Sequence, residues 1–233
     1  MSCQRDDNLG MSLQTLRAHA RWMAALTPGE ESRVISSVAL QHVAAGSHIV
    51  RKGDAAEHWV GVLSGLVKLS SSGADGRATT FTGVPPGGWF GEGSLLKREL
   101  RKYDAVALSD CSIALLPRAC FDWLLDSSIP FNRYLLVQLN ERLSQFIGMV
   151  EYERLLDPDA RMARCIADLF NPTLYPGIGP ELPISQSELA LLVGVSRQRA
   201  NQSLQALERA GLVAVGYGGI RVLDLPGLRR HGL

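Results

Sequence analysis

The segment ISQSELALLVGVSRQRANQSLQALERAGLVAVGYGGIRVLDL, residues 184–225, spells two short helices followed by a hairpin. Ser185 and, three residues on, Glu188 form a capping box ahead of an apolar run, so a helix starts near Gln186. Gly194 stops it after barely two turns. Ser196 caps a second helix, Arg197 to Ala210, which Gly211 closes at its C′ position. Two helices joined by a short glycine-containing turn make a helix-turn-helix, and Ala190 is small where they cross. Ala200, Leu204 and Leu207 fix the buried face of the second helix. Arg197, Gln198, Asn201, Gln202 and Gln205 therefore look outward, and Arg and Gln suit base edges in a major groove. Arg199 rotates away from them, toward phosphate or solvent. Behind the helices, LVAVGYGGIRVL reads as a wing, a hairpin with Gly216, Gly218 and Gly219 in its turn. The competing reading is a helical interaction module with no nucleic-acid role.

Charge follows the same division. The 233-residue chain is nearly neutral, 24 − 23 = +1. Residues 183–233 carry 6 Lys/Arg and 3 Asp/Glu, +3, whereas residues 1–182 carry 18 and 20, −2. A basic module on a mildly acidic body points to a polyanion such as double-stranded DNA. With 46% hydrophobic and 20% charged residues, the chain is neither disordered nor fibrous. No run of roughly 18 uncharged apolar residues predicts a membrane span. The first residues, MSCQRDDNLG, are unlike a secretory signal. Cys3, Cys111, Cys120 and Cys165 are scattered and form no CxxC pair, so no zinc site or disulfide framework is expected, and a reducing cytoplasm is.

Residues 13–45 read as short helices. From Gly46 to about Pro117, short runs such as HIVRK, HWVGVLSG, LVKLSSS and ATTFTGV alternate apolar with small or polar residues. Gly53-Asp54, Gly65, Gly73, Asp75-Gly76 and Pro85-Pro86-Gly87-Gly88 punctuate them. This density of turn residues predicts an antiparallel β-roll, and RACFDWLLD then opens a helix. Residues 131–157 form the longest helical stretch. Leu136, Leu139, Leu143, Phe146 and Val150 repeat at steps of 3 and 4, the spacing of a seam between two helices. The same stripe could pack on the chain's own roll. Asp157-Pro158 breaks that helix, and Asp157 caps the next, which runs to about Phe170. NPTLYPGIGP, 171–180, reads as a loop.

The chain from about residue 20 to 225 resembles the Crp/Fnr family, the cyclic AMP receptor protein and its relatives. AGSHIVRKGD and LSGLVKL in the roll, GGWFGEGSLL at the ligand cassette, the long heptad helix and the helix-turn-helix carry the likeness, in that order. The resemblance implies an α+β chain of three parts. These are a cyclic-nucleotide-binding-like β-roll sensor (13–130), a dimerisation helix (131–157) and a winged helix-turn-helix (158–233). It further implies a homodimeric transcription regulator with RNA polymerase as a partner. Its DNA contacts would be Arg197, Gln198, Arg199, Asn201 and Gln202. The family's Arg, Glu and Arg align with Arg197, Gln198 and Gln202, so one guanine contact is shared and adenine is favoured at the other two.

The departures concern the effector. Gly91-Glu92 match, but the Arg-Ser pair that holds the cyclic phosphate aligns with Lys102-Tyr103, followed by Asp104. The Thr-Ser pair that meets adenine aligns with Phe146-Ile147. Lysine lacks the bidentate fork, and an adenine edge beside Phe146 and Ile147 would leave buried polar groups unpaired. Hence the pocket of Gly91, Glu92, Lys102, Tyr103, Phe146 and Ile147 is expected not to take cyclic AMP, a cyclic-nucleotide-responsive regulator being the alternative. Glu92 could equally be a structural acceptor for turn N–H groups. Iron–sulfur relatives place several cysteines near the N-terminus. Only Cys3 stands there, so no cluster is expected. The effector is otherwise unknown. His19, His42, His48 and His58 stay open as haem ligands or surface histidines, and Cys111 and Cys120 read as buried inert thiols. No metal site is predicted. No GxSxG, HExxH, Walker or GxGxxG motif stands in a plausible context, so no enzyme is expected.

Overall fold

The computed structural model describes residues 14–73 and 78–232. Cys3 and the Asp75-Gly76 turn lie outside them. A helix α1 (14–19) and a 3-10 turn (Arg21–Ala25) lead into α2 (Pro28–Ser37). Proline opens α2, and a full capping box starts it. The Glu30 N–H donates to Thr27 Oγ1 at 3.3 Å, and the Thr27 N–H donates to Glu30 Oε2 at 2.7 Å.

The roll is two four-stranded antiparallel sheets. One runs β1 (Ala39–Val43), β8 (Cys111–Pro117), β3 (His58–Ser64), β6 (Trp89–Phe90). The other runs β2 (His48–Val50), β7 (Asp104–Ala107), β4 (Val67–Ser72), β5 (Ala78–Val84). A short helix α3 (Glu92–Leu96) follows β6, and α4 (Arg118–Ser127) follows β8. Under the first sheet lies an aromatic cluster of Trp22, Trp59, Trp89, Phe121 and Phe131, with Trp59 and Trp89 ring centroids 4.5 Å apart. Gly61 exists for this packing: a Cβ there would sit 2.5 Å from the Trp89 ring.

The long helix α5 spans Ile129–Leu155, starting and ending two residues earlier than the sequence pattern suggested, because Ser128 caps it ahead of Pro130. Its predicted seam divides. Leu136, Leu143 and Val150, seven residues apart, are 61%, 57% and 49% exposed, and Val137 and Ile147 flank them in the open. Leu139 instead leans into the roll's apolar cluster, so for this residue packing on the chain's own body is right. The inward-facing stripe is Phe131, Leu135, Gln138, Arg142 and Gln145, also at steps of 3 and 4. Three of its five members are polar. Each finds a carbonyl: Gln138 and Arg142 donate to Trp89 O at 3.2 and 2.8 Å, and Gln145 to Asp168 O at 3.2 Å.

The C-terminal module holds α6 (Pro158–Asp168), α7 (Gln186–Val193), α8 (Arg197–Arg209), α9 (Leu225–Arg230) and a three-stranded sheet. Asp157 caps α6 as expected, its Oδ1 accepting from the Asp159 and Ala160 N–H groups at 2.8 and 3.1 Å. The sheet runs β10 (Val213–Gly216), β11 (Gly219–Val222), β9 (Glu181–Leu182). Residues 171–180 form the predicted loop, and the short strand β9 follows it. Two residues offer no periodicity to detect, and only their pairing with Ile220 and Arg221 makes them a strand. Leu66 of the roll belongs to this module's apolar cluster, so the two bodies share packing.

Candidate nucleic-acid interface and effector cavity

The two helices of the C-terminal module form as their sequence dictates. Ser185 Oγ accepts the Glu188 N–H at 3.1 Å and Ser196 Oγ accepts the Arg199 N–H at 3.2 Å. Gly194 and Gly211 close them at φ +72° and +71°, where a side chain would be strained. Leu189, Ala190, Ala200, Leu204 and Leu207 are buried between them. Arg197, Gln198 and Gln202 stand exposed on the opposite side of α8, with Asn201 half-buried beside them. Four of the five predicted contacts thus share a face. Arg199 does not stand free as expected: its guanidinium bonds Asp159 Oδ1 of α6 at 2.8 Å.

The wing turns on Tyr217-Gly218, with Gly216 paired to Gly219 inside the ladder rather than in the turn. Tyr217 is fully exposed at its tip. A groove of about 260 Å³ runs between the wing, Ser185–Ser187 and Arg197. The predicted capping box is only half made, because the Glu188 carboxylate is spent elsewhere. It holds Lys68 Nζ of β4 at 2.9 Å through both oxygens.

A second concavity of about 250 Å³ lies between the roll and α5. Leu69, Phe81, Leu139, Phe146 and Tyr103 supply its apolar walls, and Glu92, Arg142, Ser94, Lys97, Glu99 and Lys102 its polar groups. Of the predicted pocket residues, Glu92, Lys102, Tyr103 and Phe146 are brought together. Gly91 and Ile147 are not. Ile147 is 61% exposed, turned off the cavity by the rotation of α5. Gly91 sits behind the wall, at φ +95° with its carbonyl accepting Arg101 Nη1 at 3.2 Å.

Glu92 begins α3, is 3% exposed and is fully engaged. Its Oε1 lies 3.2 Å from Arg142 Nε and its Oε2 accepts the Trp59 indole N–H at 3.3 Å. Burial, reinforced by the Glu92 charge, pushes the Tyr103 phenol up to about 12, so it stays a neutral donor. Lys97 and Lys102 grip the Glu99 carboxylate from either side at 2.5 and 3.2 Å, and they hold its pKa below the ordinary value. Phe81 is the extra residue of a β-bulge, since Leu69 pairs with Thr82 but Ser70 with Thr80. Bulges re-aim a side chain. Phe81 and Phe146 accordingly also line a further cavity of about 220 Å³, whose other walls include Cys165 and Leu191–Gly194.

Residues 40–128 match a model of the cyclic nucleotide-binding domain, and residues 160–231 a model of the Crp-like helix-turn-helix domain. The transcriptional regulator SdrP of Thermus thermophilus is 35% identical over 72% of this chain and 80% of its own length. The chain belongs to the Crp/Fnr family. It is a DNA-binding transcription regulator with a cyclic-nucleotide-binding-like roll and a helix-turn-helix. The cyclic AMP receptor protein of Thermus thermophilus is 31% identical over 85% of this chain and 90% of its own. A crystal structure of a CRP/FNR-family regulator from the same organism, 31% identical, superposes over 82% of this chain and 96% of its own with a TM-score of 0.58.

Sequence reasoning missed two arginines of this Crp/Fnr regulator, one on α5 and one in the roll. Arg142 was hidden because an apolar stripe drew attention to the other side of α5; its heptad step from Gln138 and Gln145 was the available signal. Arg101, 3% exposed, turns its fork inward to Gly91 O and His58 O rather than into the cavity. The four candidate histidines fall on separate elements. His19 Nδ1 lies 2.9 Å from the Thr15 carbonyl, and among the described residues no three His, Cys, Asp or Glu side chains gather as a metal site. Cys111, Cys120 and Cys165 are buried, and burial raises all three thiols, Cys165 to about 12. No helix among the described residues is long and apolar enough to cross a membrane.

Proposed function

We propose that this regulator acts as a homodimer that reads an inverted-repeat DNA site through α8, under the control of a small molecule that is not cyclic AMP. One observation carries the reading. Arg197, Gln198 and Gln202 stand exposed on the side of α8 opposite a fully buried face. A helix held from behind in this way can enter a major groove, with Arg197 at its leading end to meet O6 and N7 of a guanine. The exposed apolar positions Leu136, Leu143 and Val150 support pairing of two α5 helices. Two modules would then meet half-sites one helical turn, about 34 Å, apart. RNA polymerase is the partner at the promoter, and the cytoplasm is the place of action. Selection from a random duplex library tests this. The expected consensus is an inverted repeat, and Arg197→Ala should cost about 1–3 kcal/mol per half-site and relax one base pair. An unchanged consensus for Arg197→Ala would refute the assignment.

A cyclic-AMP-responsive regulator is the second reading, favoured by the relative that bears the receptor's name. Against it, the cavity offers no guanidinium fork at Lys102 and apolar Phe146 where adenine would need partners. Calorimetric titration should give a dissociation constant weaker than about 100 µM, and saturation at low micromolar cyclic AMP would restore the second reading.

A further inference from the structure

The polar groups of the roll cavity divide by whether they are free to meet a ligand. At its floor the charged groups are already paired with one another, with Arg142 Nε alone left short of a well-aligned hydrogen bond. Glu92 has one oxygen on Arg142 and the other on Trp59, and Arg142 also donates to Trp89 O at 2.8 Å. The fork of Arg101 is turned to backbone carbonyls outside the cavity. At the rim, Lys97 and Lys102 have side chains 64% and 63% exposed and share a single carboxylate, that of Glu99. Three cations, Lys97, Lys102 and Arg142, face two carboxylates, Glu92 and Glu99, and the surplus positive charge sits at the mouth. Between floor and rim the walls are the side chains of Leu69, Phe81, Leu139 and Phe146. The volume, about 250 Å³, lies below the roughly 300–1,000 Å³ usual for drug-sized ligands.

We infer that the cavity takes a small organic acid with an apolar body and one carboxylate, its body against Leu69, Phe81, Leu139 and Phe146 and its charge between Lys97 and Lys102. The inference deepens the reading of the roll as an effector domain and rests on it. Glu99 already shows what the rim is built to hold, a carboxylate between two ammonium groups. A ligand carboxylate replaces or joins it there without burying a charge, while the apolar body leaves water for walls that demand no hydrogen bonds. A neutral analogue keeps the second contribution and loses the first. A cyclic nucleotide keeps an anion in its phosphate but loses the second contribution, because its base edges and ribose would lie against apolar side chains.

The test uses the full-length protein and three probes: sodium 4-phenylbutyrate, the neutral 4-phenylbutanol and cyclic AMP. Calorimetry should show saturable binding of 4-phenylbutyrate at one per chain, at least tenfold tighter than the alcohol. Lys97→Gln with Lys102→Gln should abolish that tenfold preference and leave the alcohol unchanged. Both lysines are exposed, so the variant should fold, and tryptophan emission checks that it does. Equal affinity for acid and alcohol, a preference that survives loss of both lysines, or tighter binding of cyclic AMP than of the acid would each overturn the inference. Binding to the selected duplex is measured on the same samples. Failure of the acid to bind while the duplex still binds sinks the ligand class alone, whereas failure of the duplex sinks the regulator reading itself.

Discussion

Replacing Arg142 by leucine should leave the buried Glu92 carboxylate without its cation and destabilise the fold. Arg142 and Glu92 side chains are 13% and 5% exposed, and their charged groups lie 3.2 Å apart. Removing one partner of a buried pair typically costs about 3–5 kcal/mol, because the other charge is left without compensation. In Arg142→Leu the Glu92 carboxylate would keep only the Trp59 N–H at 3.3 Å. The variant should therefore fall short of wild-type stability by about 3 kcal/mol or more at pH 7. Urea unfolding followed by tryptophan emission is the assay, since all four tryptophans, Trp22, Trp59, Trp89 and Trp123, lie before the start of α5. Adding Glu92→Gln should recover part of the loss. A single variant within about 1 kcal/mol of wild type, or a double variant no more stable than the single one, would show that the pair is not what holds this wall.

Leu143→Glu should yield monomers in sedimentation, because the exposed seam would then bury a carboxylate at its centre; an intact dimer would refute the seam. Asp168 is half-buried, and desolvation raises its pKa to about 7 despite Arg164 and Arg229 nearby. Its folded value is the higher one, so wild-type stability should decline as pH rises from about 4 to 7, by of order 1 kcal/mol per unit. Asp168→Asn should flatten that decline in urea unfolding at pH 4.5 and 7.5. An undiminished slope would place the titration elsewhere.

What could be read from the sequence was what short-range rules govern. The helix-turn-helix needed only Ser185, Gly194, Ser196 and Gly211 at their spacings, and each cap formed where its chemistry demanded. The roll was legible from its turns, and the cassette from Gly91-Glu92. What escaped was set by contacts distant in sequence. Helical rotation sends Arg199 toward phosphate or solvent, and only the folded position of α6 brings Asp159 to it. Glu188 fits a capping box by spacing, yet Lys68, 120 residues away, claims its carboxylate. The polar stripe Gln138, Arg142 and Gln145 was invisible to a search for apolar periodicity, although it faces the interior as firmly as Phe131 does. Strand β9 is too short for any pattern.

The ribbon of β4 and β5 is one layer thick. Leu69 and the bulged Phe81 touch the effector cavity from it, while Lys68, its neighbour pointing the other way, grips the first helix of the reading head. A push on Phe81 thus has a mechanical route to α7 of about one side chain's length, and that route stays inside a single protomer. In the proposed dimer the exposed seam on α5 would be a separate wire, the one of the two that crosses between copies. With the circuits divided in this way, the ribbon would set how far one reading head moves when one cavity fills. Whether the second head hears of it is left to the helices, and cooperativity and sensitivity become quantities that substitutions on different elements can tune apart.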